Sequence, residues 1–207
     1  NGLLQQGWKD SGDSVFHADG SLAPPPIALC EVQGYAYAAW RGAAELAAAK
    51  GDKQSAQEWN SRASRIRTKF EKAFWSEQLG TYALALDGRK RPCLVRASNA
   101  AHCLFTGIVS SQERARRVMH ALMDEASFTG WGIRTVAAGE SRYNPMSYHN
   151  GSIWPHDNAL AAAGFARYGF ASAAATLLDT MLELSRVVDL HRLPELLCGF
   201  RRRSDER

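Results

Sequence analysis

Apolar residues in this 207-residue chain recur at helical spacing in paired blocks, and long loops separate the pairs. The pattern reads as helix pair, loop, helix pair, loop, helix pair. The spacing predicts a helix over residues 27 to about 50, stopped by Gly51, with Pro26 as a start signal and Leu29, Val32, Tyr35, Ala36, Ala39 and Trp40 near one face. Asp52 reads as the N-cap of a second helix running through residue 74, in which Ala56, Trp59, Ala63, Ile66, Phe70 and Phe74 recur at helical spacing. Residues 80–95 read as an extended stretch with a turn at Asp87-Gly88. Helices follow over 97–105, from Ser110 or Ser111 to about 125, over 156–168 and over 171–187. Residues 1–25, 127–154 and the stretch around 193–195 read as loops. This alternation predicts an all-α toroid of helical hairpins with its loops gathered at one end.

Alanine runs at 47–49, 161–163 and 173–175 support the helical reading, since Ala is the strongest helix former and lets helices approach closely. Hydrophobic residues make up 45% and charged residues 22%, which places the chain among ordinary globular proteins rather than disordered or fibrous ones. The net charge of +4 comes largely from Arg clusters at 89–91, 114–117 and 201–203. These read as solvated surface, and no nucleic-acid-binding module accompanies them. Cys30, Cys93, Cys103 and Cys198 form no C-x-x-C unit, which points to free thiols and a reducing, cytoplasmic compartment. No run of about 18 apolar residues predicts a membrane span. The chain opens within a motif, at Asn1-Gly2-Leu3, so a true N-terminus is expected to lie upstream.

Loops longer than about 12 residues tend to be functional, and these loops hold the chemistry. The segment from Gln6 to Ser14 carries Asp10 and Asp13 after Trp8 and Lys9. An aromatic ring offers a flat apolar face to a sugar, and a partly desolvated carboxyl beside it has a raised pKa and can act as an acid. The same D-x-x-D spacing also suits a turn or a calcium loop. The segment 148–158 supplies His149, Asn150, Trp154, His156, Asp157 and Asn158, whose polar atoms match sugar hydroxyls. A plain helix start there, capped by Asp157 and Asn158, is the alternative, and a zinc pair of His149 and His156 is a weaker one. Glu195 follows Pro194 in an apolar loop, as a functional carboxylate or as an ion pair with Arg192. Trp131 and Arg134 either line a polar pocket or pack as core and surface, and Glu31 on the first helix is a further pocket candidate.

The segments Gly7-Trp8-Lys9-Asp10-Ser11, residues 27–35 with Glu31, Trp131-Gly132-Ile133-Arg134-Thr135, residues 149–155 and Leu193-Pro194-Glu195-Leu196 resemble, in the same order, those of amylo-α-1,6-glucosidases, the glycogen-debranching glucosidases. The resemblance implies an (α/α)6 barrel, the six-hairpin architecture shared with trehalase-like and mannosylglycerate-hydrolase-like enzymes. It implies hydrolysis of α-1,6-linked glucans or oligosaccharides with inversion and without metal or cofactor. Asp10 matches the general acid and Glu195 the general base, which inversion sets about 6.5–9.5 Å apart to admit a water. Asp13 remains a rival for the acid, because Ser11-Gly12-Asp13 partly resembles the acid segment of related barrels. Trp8, Lys9, Glu31, Trp131, Arg134, His149, Asn150 and Trp154 would line the sugar site.

A full barrel needs six hairpins and this chain supplies about three, so residues 1–207 are expected to be the C-terminal part of a catalytic domain. Uncovered helix faces then predict a homodimer or a separate N-terminal half, and in isolation the piece need not be active. The tail, residues 201–207, reads as solvent-exposed and disordered. Two other readings remain open at this level. One is a helical carbohydrate-binding or interaction module with idle carboxylates. The other is a trehalase-like or glucosylglycerate-type hydrolase.

Overall fold

The computed structural model describes residues 5 and 7–203; expectations that fall on residues 1–4, Gln6 and the tail residues 204–207 lie outside them. Six α-helices dominate: α1 (Cys30–Ala49), α2 (Lys53–Ala73), α3 (Asn99–Thr106), α4 (Gln112–Met123), α5 (Pro155–Arg167) and α6 (Ala171–Val187). Helices α1, α3 and α5 lie side by side as an inner row, with α2 packed on α1, α4 on α3 and α6 on α5. The chain therefore forms three helical hairpins. The N-caps follow the sequence: the Asp52 side chain accepts from Ser55 N at 3.0 Å, and Ser111 Oγ accepts from Arg114 N at 3.2 Å.

Two expectations about α1 give way. The helix begins at Cys30 rather than near Pro26, because Ala28–Leu29 instead form a short strand, β1, antiparallel to Ala85–Leu86. The expected face also differs: Tyr35 and Ala39 are exposed, while Cys30, Gly34, Tyr37 and Ala44 are buried. Gly34 sets that face by close approach. A Cβ there would meet Thr106 Oγ1 of α3 at 2.6 Å. Gly164 does the same between α5 and α3, where a Cβ would meet Phe105 N at 2.8 Å. On α2 the predicted spacing matches the burial of Ala56, Ala63 and Phe70.

Residues 75–93 hold the short strands expected of an extended stretch. Trp75–Ser76 (β2) pairs with Thr81–Tyr82 (β3), and Ala85–Leu86 (β4) pairs with Pro92–Cys93 (β5). The main core joins Cys30, Tyr37, Phe70, Leu104, Ile108 and Phe165 across the hairpins. A second cluster, including Phe16, Leu29, Leu84, Val95 and Val136, ties the N-terminal loop to β4 and β5. Burying each such large side chain contributes about 1.5–3 kcal/mol. The Arg clusters are largely surface: Arg116 pairs with Glu113 and Arg117 with Glu77, contacts that contribute little when exposed. All four cysteines are free, and no helix among the described residues is long and apolar enough to cross a membrane.

Candidate active site

The loops at the N-terminal ends of α1, α3 and α5 gather the residues singled out above. Isolated bridges stitch residues 128–153 together and reach the last loop: Arg134 pairs with Ile153, and Ile153 with Leu197. Ile153 N donates to Leu197 O at 2.9 Å and Leu197 N returns to Ile153 O at 2.8 Å. This pairing brings Glu195, two residues before Leu197, beside Tyr148, whose Oη donates to Glu195 Oε1 at 2.7 Å.

The opposite end of the chain meets the same segment. Ser11 Oγ lies 2.7 Å from His149 Nδ1, Asp10 Oδ1 lies 3.8 Å from that nitrogen, and Asn150 Nδ2 donates to Asp13 Oδ2 at 3.1 Å. Asp10, Asp13 and Glu195 thus all gather around residues 148–150, and all three carboxylates favour the protonated form of His149. Burial, followed by the Lys9 charge, outweighs them and holds the His149 imidazole below its usual range. All three carboxylates are exposed, with the Asp10 side chain 87% accessible, so the partial desolvation expected beside Trp8 is not found.

Aromatic rings form the floor. Trp8 stacks on His102 at 5.9 Å between centroids and meets His149, Trp154 and His156 edge-on at 5.5, 5.5 and 4.9 Å. Trp154 stacks on His149 at 5.2 Å and its Nε1 donates to Tyr148 O at 3.0 Å. Such a surface suits the C–H face of a sugar ring. Beside the acid loop a cavity of about 310 Å³ is walled by Gly7, Asp10, Ser11, Val15, Leu22 and Ile27.

Four of the expected sugar-lining residues have other partners. Lys9 is 2% exposed and its Nζ donates to Thr135 O at 2.6 Å. Glu31 is fully buried, and that burial raises its pKa. Arg134 directs its donors to backbone carbonyls, Gly199 O at 2.8 Å and Ala126 O at 2.9 Å, which holds the last loop in place. Trp131 lies under the Arg202 guanidinium, 4.3 Å from the ring centroid, on a groove with Leu197 and Phe200. Asp157 and Asn158 lie inside the first turn of α5, which begins at Pro155, rather than at its cap. Asn158 instead clips the 131–134 loop, its Oδ1 accepting from Ile133 N at 2.7 Å.

Sequence reasoning missed the buried polar layer beneath the floor. His102 Nε2 lies 2.6 Å from Asp157 Oδ1, and its Nδ1 faces the Tyr35 hydroxyl. Burial opposes ionisation of Asp157, but the bond to His102 and the charges of His102 and Lys9 hold its carboxyl below the usual range. The available signal was a polar pair, Asn99 and His102, one helical turn apart at the start of an otherwise apolar helix. Among the described residues no group of three or more His, Cys, Asp or Glu is placed to hold a metal ion.

The family model of the mannosylglycerate hydrolase MGH1-like glycoside hydrolase domain matches residues 9–193. The GH63 mannosylglycerate hydrolase from Thermus thermophilus, solved in complex with glucose, is 26% identical with a TM-score of 0.68 over 85% of this chain and 44% of its own. The neutral trehalase of Saccharomyces cerevisiae (14% identity, TM-score 0.71, 86% of this chain and 35% of its own) shares the fold. So does a structure titled sialidase, at 17% identity and TM-score 0.78, over 96% of this chain and 19% of its own. A search of curated proteins gives no match. The chain spans less than half the length of the mannosylglycerate hydrolase it matches.

Proposed function

The chain belongs to the mannosylglycerate hydrolase MGH1-like glycoside hydrolase domain family, and from that membership we propose that it carries the acid and base of an inverting glycosidase. The observation that supports the reading is the gathering of Asp10, Asp13 and Glu195, from opposite ends of the chain, around Tyr148, His149 and Asn150. Asp10 is the general acid that protonates the leaving glycosidic oxygen. Glu195, oriented by Tyr148, is the general base that takes a proton from water on the opposite face of the sugar. Trp8, with His149 and Trp154 packed against it, offers its open side to the sugar ring. Inversion requires the acid and base to stand about 6.5–9.5 Å apart with room for that water.

For substrate we propose an α-linked gluco-oligosaccharide, on the ordered motifs that resemble those of the debranching glucosidases. A glycoside of the glycerate or trehalose type is the second reading, favoured by the family match. Exposed Leu46 on α1 and Leu178 and Leu182 on α6 mark helix faces on which a further set of hairpins, from the same polypeptide or a second copy, would close the ring.

The test is hydrolysis by the chain together with any flanking sequence of its natural polypeptide, against panose, isomaltose, maltose, trehalose and a glycosylglycerate. Proton NMR of the first-formed sugar reads the anomer. Product of inverted configuration is expected. A retained anomer, or no hydrolysis of any member of the panel, overturns the reading.

A further inference from the structure

Lys9 stands between the two ring-binding and acid residues, Trp8 and Asp10, yet points away from the cleft. Its ammonium passes 5.4 Å from the Trp8 ring centroid, donates to Thr135 O at 2.6 Å and is 2% exposed. The titratable groups that face it come from all three inner helices: Glu31 and Cys30 from α1, Asp157 from α5 and, through Asp157 and Glu31, His102 from α3. Glu31 and Asp157 are themselves 0% and 1% exposed. A cation that is buried this deeply, among anions on rigid helices, is costly to displace. Thr135 is tied in turn, its Oγ1 accepting from Gly151 N at 2.9 Å and its N donating to Ser152 O at 2.8 Å. One lysine therefore ties the acid loop, through Thr135, to the 149–152 loop, with the charges of Glu31 and Asp157 on two inner helices facing it. The loop has a further internal brace in Ser14, whose Oγ donates to Lys9 O at 3.0 Å.

We propose that Lys9 is a positioning residue that fixes Asp10 relative to the base, acting through Asp10 and never on the substrate. The proposal rests on the reading of Asp10 as the general acid. It has a signature that a general packing defect lacks. A misplaced acid slows only those substrates whose leaving group must be protonated, because a good leaving group departs without help. General acid catalysis contributes about 10²–10⁴-fold, so loosening the acid should cost part of that factor on one class of substrate alone.

The experiment compares an alkyl glycoside with the glycosyl fluoride of the same sugar and anomeric configuration, in the natural polypeptide. Lys9→Met and Lys9→Gln are assayed beside Asp10→Asn, with circular dichroism as the check on folding. Both lysine variants are expected to lose about 30-fold or more in kcat on the alkyl glycoside and about threefold or less on the fluoride. Equal losses on both substrates overturn the proposal and leave the acid assignment standing. Failure of both variants to fold also overturns it, since Lys9 would then hold the whole domain together and not the loop. An Asp10→Asn variant with an undiminished alkyl glycoside rate overturns the acid assignment itself, whatever the lysine variants do.

Discussion

The Tyr148 hydroxyl donates to Glu195 Oε1 at 2.7 Å, joining two residues 47 positions apart. The ring of Tyr148 is fixed edge-on against His149 and Trp154, at 4.6 and 4.9 Å between centroids. The bond to Glu195 pushes the Tyr148 phenol above its usual range, so it stays a donor throughout the working pH. Tyr148→Phe keeps the ring and removes only the donor. Because both groups are exposed, the expected loss is modest: about tenfold in kcat, with KM changed less and the circular dichroism spectrum unaltered. An unchanged kcat would show that Glu195 does not depend on Tyr148.

Asp10 and Asp13 are separated by what holds them. Asn150 Nδ2 donates to Asp13 Oδ2, whereas Asp10, its side chain 87% accessible, stands 3.8 Å from His149 Nδ1. Asp10→Asn is expected to lower kcat on an alkyl glycoside by about 10²–10⁴-fold. Asp13→Asn keeps an oxygen for Asn150 and is expected to cost about tenfold or less. The reverse order in steady-state rates would move the acid role to Asp13.

Local pattern made the hairpins legible, and long-range contact hid the rest. The run from Ala56 to Phe74 names its own buried face, and Asp52 its own cap. The face of α1 was legible in part: Trp40 packs against the core as expected, but Tyr35 is exposed, and Gly34 decides the packing by what lies across from it, Thr106. The loops singled out Trp8, Asp10, His149 and Glu195, which the fold brings together around residues 148–150. Lys9 and Arg134 were misread as sugar ligands because their carbonyl partners, Thr135 O and Gly199 O, lie 126 and 65 residues away. Backbone acceptors at such separations leave no trace in a motif.

The contact between Gly164 and α3 predicts a stability effect remote from the cleft. A methyl at Gly164 would sit 2.8 Å from Phe105 N and 2.9 Å from Leu104 Cβ, so α5 must move away from α3. Overpacking costs about 1–3 kcal/mol, and the gain in helix propensity from Gly to Ala returns up to about 1 kcal/mol. Gly164→Ala is expected to lower Tm by a few degrees, about 2–4 °C per kcal/mol for a domain of this size. Differential scanning calorimetry reads the shift, and an unchanged or raised Tm would show that the two helices have slack.

Lys9 also predicts how stability depends on pH. Burial is the largest influence on its ammonium and pulls it from 10.5 down to about 8, against the opposing charges of Asp157 and Glu31. Between about pH 8 and 10.5 the unfolded chain therefore holds a proton on Lys9 that the folded chain has released. Unfolding takes up that proton, so raising the pH through this window favours the fold. Lys9→Met has no such proton. Urea titrations at pH 7.5 and 10.5 should show the stability difference between wild type and Lys9→Met moving toward the wild type, by up to about 3 kcal/mol. Movement in the opposite direction would mean that the folded state holds the Lys9 proton more tightly than water does, and that the anions around it dominate its burial.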